Sequence, residues 1–150
     1  MNKQQLQEEL KQSMLAKDAL KTSVLRMLIS AIGYSEIQKG GAGYMATDED
    51  VMSVIQKEVK QRKDSIEQFT NAQRLDLADK ETKELEILKT YLPEQMGENQ
   101  IREIVNETIR QIGATTVADM GKVMGALMPK VKGKADGTIV SKLVQEALRK

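Results

Sequence analysis

Apolar residues recur at three- and four-residue intervals along almost the whole chain, the period of a helix buried on one face. Leu6, Leu10 and Met14 mark a first helix. Asp18 stands where an N-cap belongs for a second, whose face carries Leu20, Val24, Leu28 and Ala31, with Leu25 and Ile32 beside it. The run Lys39-Gly40-Gly41-Ala42-Gly43-Tyr44 breaks the pattern and predicts a flexible loop. Thr47, followed by Asp48-Glu49-Asp50, opens the next helix: a threonine cap and an acidic first turn suit the unpaired N–H groups and the positive dipole end. Val51, Ile55, Val59, Ile66 and Phe69 then keep to one side, while Lys57, Lys60, Arg62, Lys63 and Asp64 crowd the other. A shorter helix carries Leu77, Leu85, Leu88 and Leu92, and Pro93 stops it.

Leu92-Pro93-Glu94-Gln95-Met96-Gly97 combines a proline, a glycine and polar residues, the composition of a domain boundary. Three more helical stripes follow. Ile101, Ile104, Val105, Ile109 and Ile112 form the first, ended by Gly113 in the position of a C-cap. Thr116-Val117-Ala118-Asp119 starts the second, with Val117, Met120, Met124, Leu127 and Met128 inward and Pro129 after it. Asp136 caps the third, which carries Ile139, Val140, Leu143, Val144 and Leu148. No alternating segment supports a half-buried strand. The expectation is an all-α chain, with a four-helix domain over residues 1–93 and a small three-helix domain over residues 94–150.

Composition narrows the chemistry. The chain has no cysteine, which closes thiol catalysis, disulfides and cysteine-ligated zinc. It has no histidine, the residue most used for acid–base work near neutral pH and a common ligand of transition metals. Aromatics make up 3%, so the core must be aliphatic and rich in methionine. No run approaches the roughly 18 apolar residues of a membrane-spanning helix. The first residues carry no apolar signal-like region, and Glu8 and Glu9 do not suit a transit peptide. The expectation from these features is a soluble, cytoplasmic protein with no cofactor, no metal and no membrane partner.

Gly-Ala-Gly-Tyr-Met-Ala at residues 41–46 formally matches a dinucleotide-binding loop, but that loop needs a strand before it, and here a helical pattern precedes it. A connector is the better reading. Neither Gly121-Lys122 nor Gly133-Lys134 completes a phosphate loop, and no serine lies in a nucleophile elbow. The methionines at 120, 124 and 128 interleave with Val117 and Leu127, which reads as core rather than as a binding groove. The lysines say more. Residues 120–150 hold seven bases (Lys122, Lys130, Lys132, Lys134, Lys142, Arg149 and Lys150) against Asp136 and Glu146, a net charge of +5, while the whole chain carries +1. Lys130, Lys132 and Lys134 fall in a short connector with Gly133 and Gly137, where backbone N–H groups would also face an anion. Phosphate is the natural partner of such a surface, and a solvated charge run is the competing reading.

Three blocks of the chain resemble the YqeY family. They are Lys57-Glu58-Val59-Lys60-Gln61-Arg62-Lys63-Asp64-Ser65 with Asn71-Ala72-Gln73-Arg74-Leu75-Asp76-Leu77; Glu84-Leu85-Glu86-Ile87-Leu88 with Tyr91-Leu92-Pro93-Glu94-Gln95; and Ala118-Asp119-Met120-Gly121-Lys122-Val123-Met124-Gly125 through Pro129-Lys130-Val131-Lys132-Gly133-Lys134-Ala135-Asp136-Gly137. The resemblance implies a helical domain followed by a three-helix domain related to the tail of the GatB subunit of tRNA-dependent amidotransferase, which contacts tRNA. Similar domains are fused to some glutaminyl-tRNA synthetases. It therefore implies an accessory tRNA-binding module in translation, with tRNA and an aminoacyl-tRNA synthetase or amidotransferase as partners. The family label of carbon–nitrogen ligase with glutamine as amido donor comes with that association, but nothing here matches the catalytic parts of GatB, so no intrinsic catalysis is expected. The residues implied for tRNA binding are Lys122, Lys130, Lys132, Lys134, Gly121, Gly125 and Gly133, with Lys142 from the same basic segment. Asp119 is expected to cap its helix, and the two glycines on one helix face either admit a close backbone approach or serve helix packing. A helical protein–protein adaptor without an RNA ligand is the alternative.

Overall fold

The computed structural model describes residues 1–149. Among these the chain is all-helical, as the hydrophobic period implies, with seven α-helices, one 3-10 turn and no strand. Its packing forms two compact units, Met1–Leu92 and Pro93–Lys150.

The first unit holds α1 (Lys3–Leu15), α2 (Ala19–Gly40), α3 (Asp48–Asn71) and α4 (Leu75–Lys89). Local chemistry sets the starts of α1, α2 and α3. Asn2 and Gln5 form a reciprocal capping box, the Asp18 carboxylate accepts from the Lys21 N–H, and Thr47 and Asp50 form a second box. Each such cap stabilises its helix by about 1 kcal/mol. Helix α2 packs on α1, α3 and α4, and α3 lies along α4. Leu6, Val24, Leu25, Leu28, Ile32, Val51, Ile55 and Leu88 are almost wholly buried between them. A fully buried side chain of this kind contributes about 1.5–3 kcal/mol, so the core is the main source of this unit's stability.

Two readings of this half change. Arg62, grouped above with the solvated charges of α3, is buried: it points at α4, where its guanidinium lies 3.4 Å from the equally buried Glu84 and 3.8 Å from Glu58. The glycine run at 40–43 is less loose than its composition implies. Helix α2 continues through Gly40, and the Tyr44 ring lies so close to that glycine that a Cβ there would stand 2.6 Å from it. Tyr44 donates its hydroxyl to Asp50 at 2.7 Å, and the Ala46 N–H donates to Glu36 at 2.9 Å. Lys39 pairs with Asp50 as well. Those contacts hold the Asp50 carboxyl well below the usual carboxylate range, Lys39 first, then the Thr47 N–H and the Tyr44 hydroxyl. The segment is thus a fastened connector between two helices, and no phosphate-binding strand–turn–helix surrounds it.

The second unit holds α5 (Glu98–Ile112), the 3-10 turn Val117–Asp119, α6 (Met120–Val131) and α7 (Gly137–Leu148). Gly113 ends α5 in the left-handed conformation, φ 74°, as its position at the C-cap requires. The core is built from Ile101, Val105, Val123, Leu127, Val131, Val140, Leu143, Val144 and Leu148. On α6 the fully buried positions are Val123, Leu127 and Val131, with Met120, Met124 and Met128 packed beside them. Val117, expected inside, is exposed because residues 117–119 form a tight turn rather than the first turn of α6. Ile139 is exposed too. Pro129 does not follow α6 but lies within it, two residues before its end.

Candidate nucleic-acid interface

The buried stripe of α6 leaves the opposite side of the same helix to solvent. Gly121, Lys122, Gly125, Ala126 and Pro129 recur at i, i+1, i+4, i+5 and i+8, and all are exposed. A Cβ added at Gly121 or at Gly125 would meet nothing within 4 Å. Helix packing within the second unit therefore does not account for either glycine. Their effect is to leave the α6 backbone bare, with Lys122 as the only long side chain on that face. Pro129 adds a second consequence. It has no N–H to give to the carbonyl of Gly125, four residues earlier, so this carbonyl lacks its usual helical donor on an exposed surface.

The remaining lysines are distributed around this helix. Lys132 is the C-cap of α6, Lys134 lies in the connector, and Lys142 sits in the second turn of α7. All three are exposed, as is Lys122. Lys130 differs. Its ammonium reaches to α5, 3.5 Å from the Thr108 hydroxyl and 3.4 Å from the Gln111 side-chain oxygen, so it ties α6 to α5. Gly133 also differs from expectation: it is buried, in the left-handed region at φ 78°, and its carbonyl accepts from the Gln95 side chain at 2.9 Å. It shapes the connector and offers no surface.

Backbone capture of an anion by this connector is excluded for most of its N–H groups. Those of Lys132, Lys134 and Ala135 donate to carbonyls of α6, and that of Thr138 donates to the Asp136 carboxylate at 2.8 Å. The lysine side chains are what remain to meet phosphate. The segment's two acids are turned to other tasks, Asp136 capping α7 and Glu146 lying 3.5 Å from Arg102 of α5. Asp119 stands at the start of α6 but does not cap it: its carboxylate turns back to accept from the Thr115 N–H at 3.0 Å and the Thr116 N–H at 3.3 Å, closing the 3-10 turn before the helix. These bonds, with a smaller effect from Lys122, hold its carboxyl below the usual range. Nothing in the sequence signalled where Lys130 points, since its direction depends on α5. Among the described residues there is no cluster of three or more side chains suited to a metal ion, and no helix is long and apolar enough to cross a membrane.

The chain is thus all-helical, with an exposed face of α6 that carries Lys122 between two glycines. The chain belongs to the family described as Yqey-like protein, which matches residues 3–148. It is 35% identical over 147 residues to altered inheritance of mitochondria protein 41, mitochondrial, of Pyrenophora tritici-repentis, covering 95% of this chain and 78% of that protein. Proteins of the same name from Clavispora lusitaniae and Vanderwaltozyma polyspora are 33% and 41% identical. The first match covers 84% of this chain and 71% of the relative, the second 58% and 46%. These relatives are named as mitochondrial, which overturns the cytoplasmic placement expected above. That expectation rested on the first few residues, and a targeting segment is a removable address that carries no information about the fold.

Proposed function

We propose that this chain is an accessory RNA-binding module that holds tRNA by shape and phosphate through its α6–α7 surface, without chemistry of its own. The observation that carries the proposal is the exposed, side-chain-free face of α6 with Lys122 on it and Lys132, Lys134 and Lys142 around it. A bare backbone lets a polynucleotide approach closely, and flanking ammonium groups neutralise its phosphates. No aromatic residue follows Tyr91, so this surface offers no stacking platform for bases. Recognition there is by backbone and shape, as for structured RNA. The resemblance of the chain to a tRNA-contacting tail supports the same reading.

If Lys122, Lys134 and Lys142 each meet one phosphate, the log–log dependence of affinity on salt has a slope of about −2 to −3. Contacts of this number give affinities of about micromolar or weaker at physiological salt. That suits a module whose partner raises its effective concentration, an aminoacyl-tRNA synthetase or amidotransferase being the class implied. The test is filter binding or anisotropy with total tRNA over a salt series. The variant Lys122→Ala/Lys134→Ala/Lys142→Ala should flatten the slope and weaken all tRNAs alike. Binding by that variant with an unchanged slope, or no binding by the wild type at low salt, removes the reading.

A further inference from the structure

A second surface, in the first unit, is left unexplained by the lysines of α6 and α7. Helices α2 and α3 enclose a groove of about 440 Å³, floored by Ala31 and Val54. Its walls are unusual for a chain with 30% charged residues. They carry hydroxyls from Ser30, Ser35 and Ser53, carboxamides from Gln38 and Gln61, and a single cation, Lys57. The one carboxylate, Glu58, faces the Arg62 guanidinium at 3.8 Å, which it shares with Glu84. Tyr34 forms the rim and is 70% exposed, while Tyr91 is buried and Tyr44 and Phe69 are partly covered. Among the described residues, no side-chain hydrogen bond or ion pair engages Ser30, Tyr34, Gln38, Ser53, Lys57 or Gln61.

We infer that this groove binds one unpaired nucleotide, its base stacked on Tyr34, its edge met by Gln38 and Gln61, and its phosphate by Lys57. The chemistry of the walls selects this class. An exposed aromatic face matches any base, and such stacking tolerates sequence. Carboxamides and hydroxyls both donate and accept, so they fit the mixed edge of a base, which an acidic or basic wall would not. One uncommitted ammonium matches one phosphate. The volume lies within the range of small-ligand clefts, about 300–1,000 Å³. A free nucleotide and an unpaired residue of an RNA chain share this chemistry. The site goes beyond the α6–α7 surface and does not depend on it.

The test uses the full chain, which has no tryptophan, so that its three tyrosines provide the emission. Hexaadenylate RNA and AMP are titrated separately, following tyrosine quenching and backbone amide shifts. Binding should quench the emission and move amides of residues 30–38 and 53–61. Response to hexaadenylate alone assigns the groove to RNA, and an equal response to AMP assigns it to free nucleotides. Tyr34→Ala should weaken the response about 5- to 150-fold, the loss expected for one base–aromatic stack. Tyr34→Phe, which keeps the ring, should bind as the wild type does. Lys122→Ala/Lys134→Ala/Lys142→Ala should leave these amide shifts in place, so failure of the α6–α7 surface and failure of the groove are separable. The inference is overturned if neither probe moves these amides, or if Tyr34→Ala binds like the wild type. The exposed Met27 and Ile37 on α2 would then mark the same face as a protein-docking surface.

Discussion

Replacing Gly121 and Gly125 with alanine should make the second unit more stable and its RNA binding weaker. The stability gain follows from the empty space at both positions, where a Cβ meets nothing within 4 Å. Neither residue has the positive φ that glycine alone tolerates. Alanine within a helix is favoured over glycine by about 0.8–1 kcal/mol. Gly125→Ala, in the interior of α6, should realise most of that, and Gly121→Ala, in its first turn, the smaller part. The pair together should add about 1–2 kcal/mol. Amide exchange of buried Val123 and Leu127 reads the opening of this unit, and about 1.4 kcal/mol slows exchange roughly tenfold where global opening limits it. The same two methyl groups stand on the face proposed to meet RNA, so tRNA affinity should fall while stability rises. Larger residues sharpen the contrast: Gly121→Leu should still fold, and should bind more weakly than Gly121→Ala. Faster exchange in the alanine variants would mean that the glycines serve packing. Slower exchange with unchanged tRNA affinity would mean that the bare face of α6 is not the contact surface.

The remaining predictions test the framework that positions these surfaces. Glu84→Ala leaves Arg62 buried with only the more distant Glu58, and should cost the first unit about 3 kcal/mol, toward the low end for a broken buried pair. At about 4–8 °C per kcal/mol this lowers its Tm by about 12–24 °C, read by the fluorescence of tyrosines that all lie before residue 92; a loss under 0.5 kcal/mol would return Arg62 to the surface. Arg62→Met/Glu84→Leu together should restore most of that loss, because matched apolar groups replace a desolvated pair. The Asp50 carboxyl is depressed in the folded state, so its contribution is complete above the unfolded carboxylate value near pH 4 and drains as pH falls below it. Asp50→Asn should flatten acid unfolding in that window, and an unchanged acid limb would refute the assignment. Lys130→Ala should loosen the α5–α6 contact, by no more than about 1 kcal/mol for a partly exposed link, and should leave the salt slope of tRNA binding unchanged.

The chain by itself determined the all-helical class, the number of helices and the starts of α2, α3 and α7. The reason is that these features are local. A 3.6-residue apolar period, a threonine or aspartate cap and a C-terminal glycine act over one or two turns, as Thr47, Asp136 and Gly113 show. The basic segment was equally legible, because charge is a property of composition. What only the tertiary structure decided depends on neighbours distant in sequence. Arg62 stands on the apolar stripe of α3, three residues after Val59 and four before Ile66, so its burial follows from the helical period, but only the fold shows that Glu84, twenty-two residues on in α4, lies against it. Lys130 and Lys134 look alike in the sequence, yet Lys130 turns to Thr108 and Gln111 of α5. Gly125 and Gly133 are both implied for RNA contact by the sequence. One lies on an open helix face and the other is buried under Gln95, because packing between elements, not the residue, determines which side of a backbone is left to solvent.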